Sequence, residues 1–472
     1  MNRGWTDPAV SQTATIQQLV AREILDSRGR PTVEVEVHCH SGAWGRASVP
    51  SGASTGQFEA HERRDGDPSR HDGLGVRRAV DAVLHELAPV CRGLDPSHQE
   101  ELDDRLRACD GTPHKSRLGA NALLGVSLAA ARAAAAAQGI PLVQHLFRLW
   151  RGIAAPESAP SATSPDSPGS GLRFEPRLGR QLLLPLPMVN MIPGGLHAGR
   201  NLDLQDWLIL PVGAGSYHQA LDWIVLVYRR LGTVLTERGL EASLVGDEGG
   251  YGPRVADNEI PLQLIVEAIE RAGLRPGDDV ALGLDVASTH YFRDGTYHLA
   301  AGKGQTLSSA GMAELLESWV DRYPLISIED GCADDDWAGW RHLTQRLATR
   351  VQLIGDDLFV TNPGRIREGI QRQCANSVLI KLNQIGTLTE TLQALRLTLA
   401  AGYRPVVSAR SGETEDDLLA DLAVATGAGQ IKIGSIVRSE RLAKYNQLLR
   451  LEEQLGDQAG WLGRGLFSAP TP

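Results

Sequence analysis

The pattern of apolar and polar positions changes character twice along the chain. Residues 1–15 show no apolar period and read as a flexible leader. From Thr32 to Cys39 apolar and polar residues alternate strictly, which predicts a half-solvated strand, and residues 42–49 supply a partner. Residues 73–87 and 97–107 carry a helical apolar period. Residues 118–138 form a long alanine-rich helical stretch, stopped by Gly139 and Pro141, whose small side chains imply close packing. Residues 16–150 therefore read as an N-terminal α+β domain. Residues 151–181 are rich in Ser, Pro and Gly and cannot build a core, so they read as an insertion or linker.

Over residues 182–472 apolar strand-like runs alternate with helical stretches. Several runs end on a charged residue: Asp285, Glu329, Asp356, Lys381, Arg410 and Lys432. After a longer first step, the intervals are those of single βα units. Buried parallel strands joined by single helices give a doubly wound sheet or a (β/α) barrel. Charges repeated at strand C-termini favour the barrel, where such residues converge on one mouth.

Composition narrows the class. The 472 residues are 42% hydrophobic and 22% charged, as in an ordinary soluble protein with room for two or three cores. A formal charge of -10 argues against nucleic acid as a partner. Five cysteines without paired spacing point to a reducing compartment. No apolar run is expected to span a membrane, so the expected location is cytoplasmic.

The chemistry starts from lysine. Only five of the 47 basic residues are Lys, and two of them, Lys381 and Lys432, lie in apolar strand-like runs. Lysine can lose its proton near neutral pH where arginine cannot, which makes Lys381 the candidate base. A lone Asp at a strand end would more simply cap a helix. Three acids at the same phase, Asp285, Glu329 and Asp356, instead call for a cation, and an all-oxygen set suits Mg²⁺. Such an ion facing Lys381 would favour its neutral amine. Arg410, Ser411 and Lys432 offer a clamp for an anion. Glu248, in the glycine-rich stretch from Val245 to Pro253, is a candidate general acid. The hydroxyl-rich stretch from Pro50 to Gly56 is a surface loop or a lid over an anion or metal. Together these fit abstraction of a proton α to a carboxylate.

The chain resembles the enolase family. The matching phrases include residues 21–29, 49–56, 115–122, 245–250, 355–358, 380–389, 411–432 and 441–448, and the likeness spares only the leader and the insertion. It implies an N-terminal α+β capping domain followed by an enolase-type eight-stranded (β/α) barrel. It also implies two Mg²⁺ ions, a homodimer or larger homo-oligomer, and a small phosphorylated hydroxy-acid substrate, 2-phosphoglycerate, which loses water to give phosphoenolpyruvate. By the same resemblance Lys381 is the base and Glu248 the acid. Asp285, Glu329 and Asp356 hold one ion, and Ser54 helps to hold the second. Gln205, Arg410, Ser411 and Lys432 bind substrate. Asp206 and His197 occupy the remaining catalytic positions.

The departures from the family pattern cluster near the site. Ala409 stands where the family has His, and Asp206 where it has Glu. Pro193, Leu196, Tyr251-Gly252 and Gly331 also differ. Two alternatives follow. One is a paralogue acting on a modified 2-substituted glycerate, such as formation of carboxyphosphonoenolpyruvate in phosphonate biosynthesis. The other is a non-catalytic binding protein of the same fold.

Overall fold

Strict alternation in the first strands produces a three-stranded antiparallel sheet. Its strands are β1 (Ile16–Leu25), β2 (Pro31–Cys39) and β3 (Trp44–Ser48), in the order β1-β2-β3. The computed structural model describes residues 14–52, 58–154, 177–198 and 202–467, apart from the side chains of residues 196 and 197. The chain divides into two units. The first comprises Met1–Ser51, Ala60–Gly152 and Leu382–Glu390, and the second comprises Gly52–Glu59, Ile153–Lys381 and Thr391–Pro472.

In the first unit Val33, Val35 and Val37 of β2 are buried while Glu34 and Glu36 on the other face pair with Arg22. Helix α2 (Ala120–Gln138) covers the apolar face, and α1 (Gln99–Asp110) and α3 (Leu142–Gly152) pack against α2. The helix α2 lies directly on the sheet. A Cβ on Gly45 would sit 2.3 Å from the Ala133 nitrogen, and one on Gly125 would sit 2.6 Å from Val35 Cγ2. Small residues on both elements thus allow backbone to approach backbone. By length and composition α2 is apolar enough to cross a membrane, which corrects the expectation that no run is. Its 83% burial marks it as a core helix. The segment Leu382–Glu390 belongs to this unit, tied by Lys115 to Glu390 at 2.7 Å and by the Thr389 N–H to Asp103 at 2.9 Å.

The second unit is a closed barrel of eight strands. They are β4 (Leu186–Pro193), β5 (Asp206–Leu210), β6 (Ala281–Asp285), β7 (Leu325–Glu329), β8 (Gln352–Gly355), β9 (Ser377–Ile380), β10 (Arg404–Ser408) and β11 (Gln430–Lys432). The order around the barrel is β7-β8-β9-β10-β11-β4-β5-β6. One strand departs from the all-parallel expectation: β5 is antiparallel to both β4 and β6. Among its described residues the link from β4 to β5 contains no α-helix, so they make no helical crossover of the kind a parallel partner needs. Two helices, Tyr217–Glu237 and Ile260–Arg271, then lead to β6, where the parallel run resumes. The antiparallel direction sets the first residue of β5, Asp206, beside Asp285 at the C-terminal end of β6.

Leu186, Met188, Leu208, Leu210, Ile354, Leu379 and Val406 fill the barrel, and Leu178, Leu462 and Leu466 pack against them. Of the segment read as a linker, residues 155–176 lie outside the described residues. Its preceding end finishes α3, and Leu178 beyond it is 2% exposed in the barrel core.

One buried group couples the first unit to pH. His145 on α3 is 2% exposed and neither ring nitrogen has a hydrogen-bond partner. Burial, reinforced by Arg148, lowers its pKa to about 4. The unfolded chain takes up this proton near pH 6.5, and the folded chain resists it until about 4. Stability from the neutral ring is therefore full above the unfolded value and is lost as pH falls toward 4. His145→Leu should remove about 2–3 kcal/mol of this acid-side loss, read as the difference between variant and wild type in urea unfolding at pH 7 and near pH 4.5.

Candidate active site

Every charged strand end singled out in the sequence reaches one cleft at the C-terminal mouth of the barrel, as a wall residue or as the partner of one. Asp285 and Glu329 are the last residues of β6 and β7 and lie side by side in register. Asp356 and Lys381 follow β8 and β9 by one residue, Arg410 follows β10 by two, and Lys432 ends β11. Lys432 Nζ lies 2.6 Å from Asp285 and 2.8 Å from Glu329, with Asp206 at 3.9 Å. Lys381 donates to Asp356 Oδ2.

These contacts decide the protonation pattern. Burial opposes the charge of Lys432, but Asp285 and Glu329 overcome it and raise its pKa well above the ordinary value. Lys381 is also raised, against burial, chiefly by Asp356. The neutral amine expected for Lys381 is thus not the favoured form here, because Asp356 is its direct counter-ion. Burial raises Asp356, but Lys381, Arg410 and Lys432 outweigh that and leave it lowered. Glu329 is pushed well above the carboxylate range by burial and then by the charge of Asp285.

The oxygen set suits a divalent cation. Glu329 is fully buried, yet its Oε1 has no hydrogen-bond partner. An acid so placed is costly unless a further positive charge joins it. A second grouping, Asp330, Asp356 and Asp357, brings ligand oxygens within 4.8 Å of one another and could also hold a metal. Both Asp330 oxygens are already used, accepting the Asp356 N–H at 2.9 Å and the Asp357 N–H at 2.8 Å. Asp330 therefore braces the loop after β8, while Glu329 keeps an unused oxygen. The set Asp285, Glu329 and Asp356 fits hard-cation chemistry better.

The other expected residues fall as follows. Gln205 donates to Asp285 at 3.2 Å. Asp206 is fully buried and accepts from the Asn190 amide, which also reaches Glu248 at 3.5 Å. Glu248 lies 3.8 Å from the Arg441 guanidinium. Arg410 and Ser411 line the cleft, as does Ala409. Ser54 lies outside the described residues. The backbone of His197 belongs to the short 3-10 turn Gly195–Ala198, but its side chain lies outside the described set.

Four residues were not legible as site residues. Glu59 grips the Arg410 guanidinium at 2.9 and 3.3 Å, and both side chains are nearly buried. Asn190 joins Asp206 to Glu248. Arg441, fully buried on the helix Ser439–Leu455, donates to the carbonyls of Arg410, Ser411 and Ile433 and so fixes the backbone after β10 and β11. His290 enters the cleft from a turn after β6. Arg441 lay within a matched family phrase, which was the available signal. Asn190 and His290 carried none, and Glu59 follows a matched phrase closely enough to have been suspected.

Comparison with known proteins agrees with this geometry. The family model described as "Enolase, C-terminal TIM barrel domain" matches residues 181–469, and "Enolase, N-terminal domain" matches residues 16–146. The enolase of Acidothermus cellulolyticus is 52% identical over 454 residues, covering 96% of this chain and 98% of the relative. The chain belongs to the enolase family. It is accordingly a carbon–oxygen hydro-lyase of the phosphopyruvate hydratase type. The family's barrel places the acids and lysines at the mouth, and a family that generally uses Mg²⁺ agrees with the oxygen donors found there.

The Glu59–Arg410 pair gives a test of the clamp. Removing one partner of a buried ion pair strands the other charge. Glu59→Gln should lose about 3 kcal/mol in thermal or urea unfolding. Excess inorganic phosphate should recover part of that loss by occupying Arg410, and should stabilise the variant more than the wild type.

Proposed function

We propose that the enzyme removes water from 2-phosphoglycerate to form phosphoenolpyruvate, with Lys381 taking the C2 proton. The observation that carries this reading is the one cleft that brings together Lys381, Glu248, the anion-binding pair Arg410 and Ser411, and the acids Asp285 and Asp356, with Glu329 bonded to Lys432 beside them. Asp285, Glu329 and Asp356 would hold one Mg²⁺, and Ser54 would help to hold a second that arrives with substrate. Bound there, the ions would stabilise the negative charge that develops on the substrate carboxylate as the proton leaves.

The chain's own residues divide the rest of the work. Arg410 and Ser411 hold the phosphate, and Arg441 and Glu59 keep that clamp in place. Lys381, at the end of β9, accepts the C2 proton once its amine is free. Glu248 is held against β4 and β11 by Asn190 and by Ser435, whose N–H donates to the Glu248 carbonyl at 2.9 Å. It protonates the departing C3 hydroxyl. Base and acid thus stand on separate walls, so the proton and the hydroxyl leave from different sides of the substrate. Asp206 and Gln205 orient groups around Asp285, and Lys432 balances the buried acids. His197 would complete the catalytic set. A cytoplasmic homodimer or larger homo-oligomer is part of the same proposal, supported by the family relationship.

A second reading has one observation in its favour. Ala409, 7% exposed, lines the cleft beside Arg410 where the family carries an imidazole. A methyl in place of a ring there would favour a bulkier anionic end, as in a modified 2-substituted glycerate on the way to a carboxyphosphonoenolpyruvate-type product.

The proton-transfer role is tested with Lys381→Ala, which should lower kcat at least ~10³-fold while leaving unfolding cooperative. Wild-type turnover of 2-phosphoglycerate should vanish with a chelator and return with Mg²⁺. Active Lys381→Ala enzyme would refute the assignment of the base. Ala409→His separates the two substrates: it should leave or raise activity on 2-phosphoglycerate and lower it on a bulkier glycerate.

A further inference from the structure

The turn that follows β6 is strained and firmly held. Ala287 adopts a left-handed conformation, φ 47° and ψ 48°. For a residue with a Cβ this conformation is strained, and such strain persists only where the surroundings enforce it. They do so here. The N–H and the hydroxyl of Ser288 both donate to the Asp330 carbonyl, at 3.2 and 2.7 Å. Thr289 accepts the Asp334 N–H at 3.1 Å, and the Tyr291 hydroxyl donates to the Val286 carbonyl at 3.2 Å. Residues on both sides of position 290 are pinned, and Ser288 and Tyr291 are buried. The half-buried side chain that this turn presents to the cleft is His290.

Its position around the mouth is informative. In the closed strand order β6 stands four places from β10, the far side of an eight-stranded barrel. His290 and the stretch Ala409, Arg410 and Ser411 thus line the same cleft from strands on opposite sides of the barrel. Among the described side chains of the cleft wall, His290 is the sole imidazole. A rigid turn on a barrel strand can hold a binding group to the tolerance that recognition requires.

We infer that His290 is a specificity-determining contact that donates a ring N–H to an oxygen at the substrate end farthest from the Arg410–Ser411 clamp. This deepens the 2-phosphoglycerate reading and rests on it for the identity of the substrate. In 2-phosphoglycerate the oxygens away from the phosphate are those of the carboxylate and of the C3 hydroxyl, both carried next to C2, so His290 adds a donor to one of these. The contact acts on binding and moves no proton in the reaction.

The test compares wild type, His290→Ala and His290→Gln in Mg²⁺, measuring both turnover and calorimetric binding of 2-phosphoglycerate. His290→Ala should raise KM and Kd ~10-fold, the loss expected for one donor to a charged oxygen, while kcat changes by less than ~3-fold. His290→Gln, which keeps an N–H donor, should recover most of the affinity. Wild-type Kd and KM in His290→Ala would overturn the contact. A Gln variant as weak as Ala would overturn its role as a donor. Wild type that binds 2-phosphoglycerate without turning it over would refute the functional reading alone, since the Kd comparison still decides His290. Wild type that fails to bind would overturn both.

Discussion

The mouth of the barrel is organised by a charge problem. Asp285, Glu329 and Asp356 are buried together at the ends of adjacent strands, and like charges so placed repel strongly in a medium that screens them poorly. Lys432 and Lys381 are the protein's own answer. Lys432 bridges Asp285 and Glu329, and Lys381 takes Asp356. The compensation is incomplete, because Glu329 keeps an oxygen without a partner. A site balanced in this way offers oxygen donors suited to a divalent cation and carries its candidate base as the counter-ion of Asp356, a candidate metal ligand.

Packing makes that crowding sustainable. The barrel below the cleft is filled by branched and aliphatic side chains, which fix the strands and hence the spacing of the charges at their ends. Above this layer, polar groups do the positioning. Asn190 joins Asp206 and Glu248, Glu59 holds Arg410, and Arg441 gathers three backbone carbonyls. None of these braces needs to touch a reacting atom. A displacement of about 1 Å at a reacting group can cost about 100-fold in rate, which is the physical reason for spending buried arginines on loops.

The departures at Ala409 and Asp206 look different once placed. Asp206 has a shorter side chain than the family's Glu, yet it is fully buried and bonded to Asn190, so it has a defined role in the network. Ala409 lines the wall beside Arg410, and the imidazole of the described wall is supplied by His290, from the turn after β6.

The sequence by itself determined the strand-end charges, the alternating strand β2, the buried small-residue helix α2 and the family. Each of these is written in local period or in unbroken phrases, which need no knowledge of what lies opposite. It named the acids, lysines and clamp residues because a barrel sends every strand C-terminus to one place. Tertiary structure alone decided the rest. The antiparallel direction of β5 depends on a connection without a helix, and it brings Asp206, at the start of a strand, to the mouth. Lys381 is a charged partner of Asp356 because their side chains meet across neighbouring strand ends. Glu59 and Arg410 are 351 positions apart in the chain, and nothing local in either segment records that they touch. His290 becomes a cleft residue through a left-handed turn at an alanine, a conformation that its sequence does not favour and that surrounding hydrogen bonds impose.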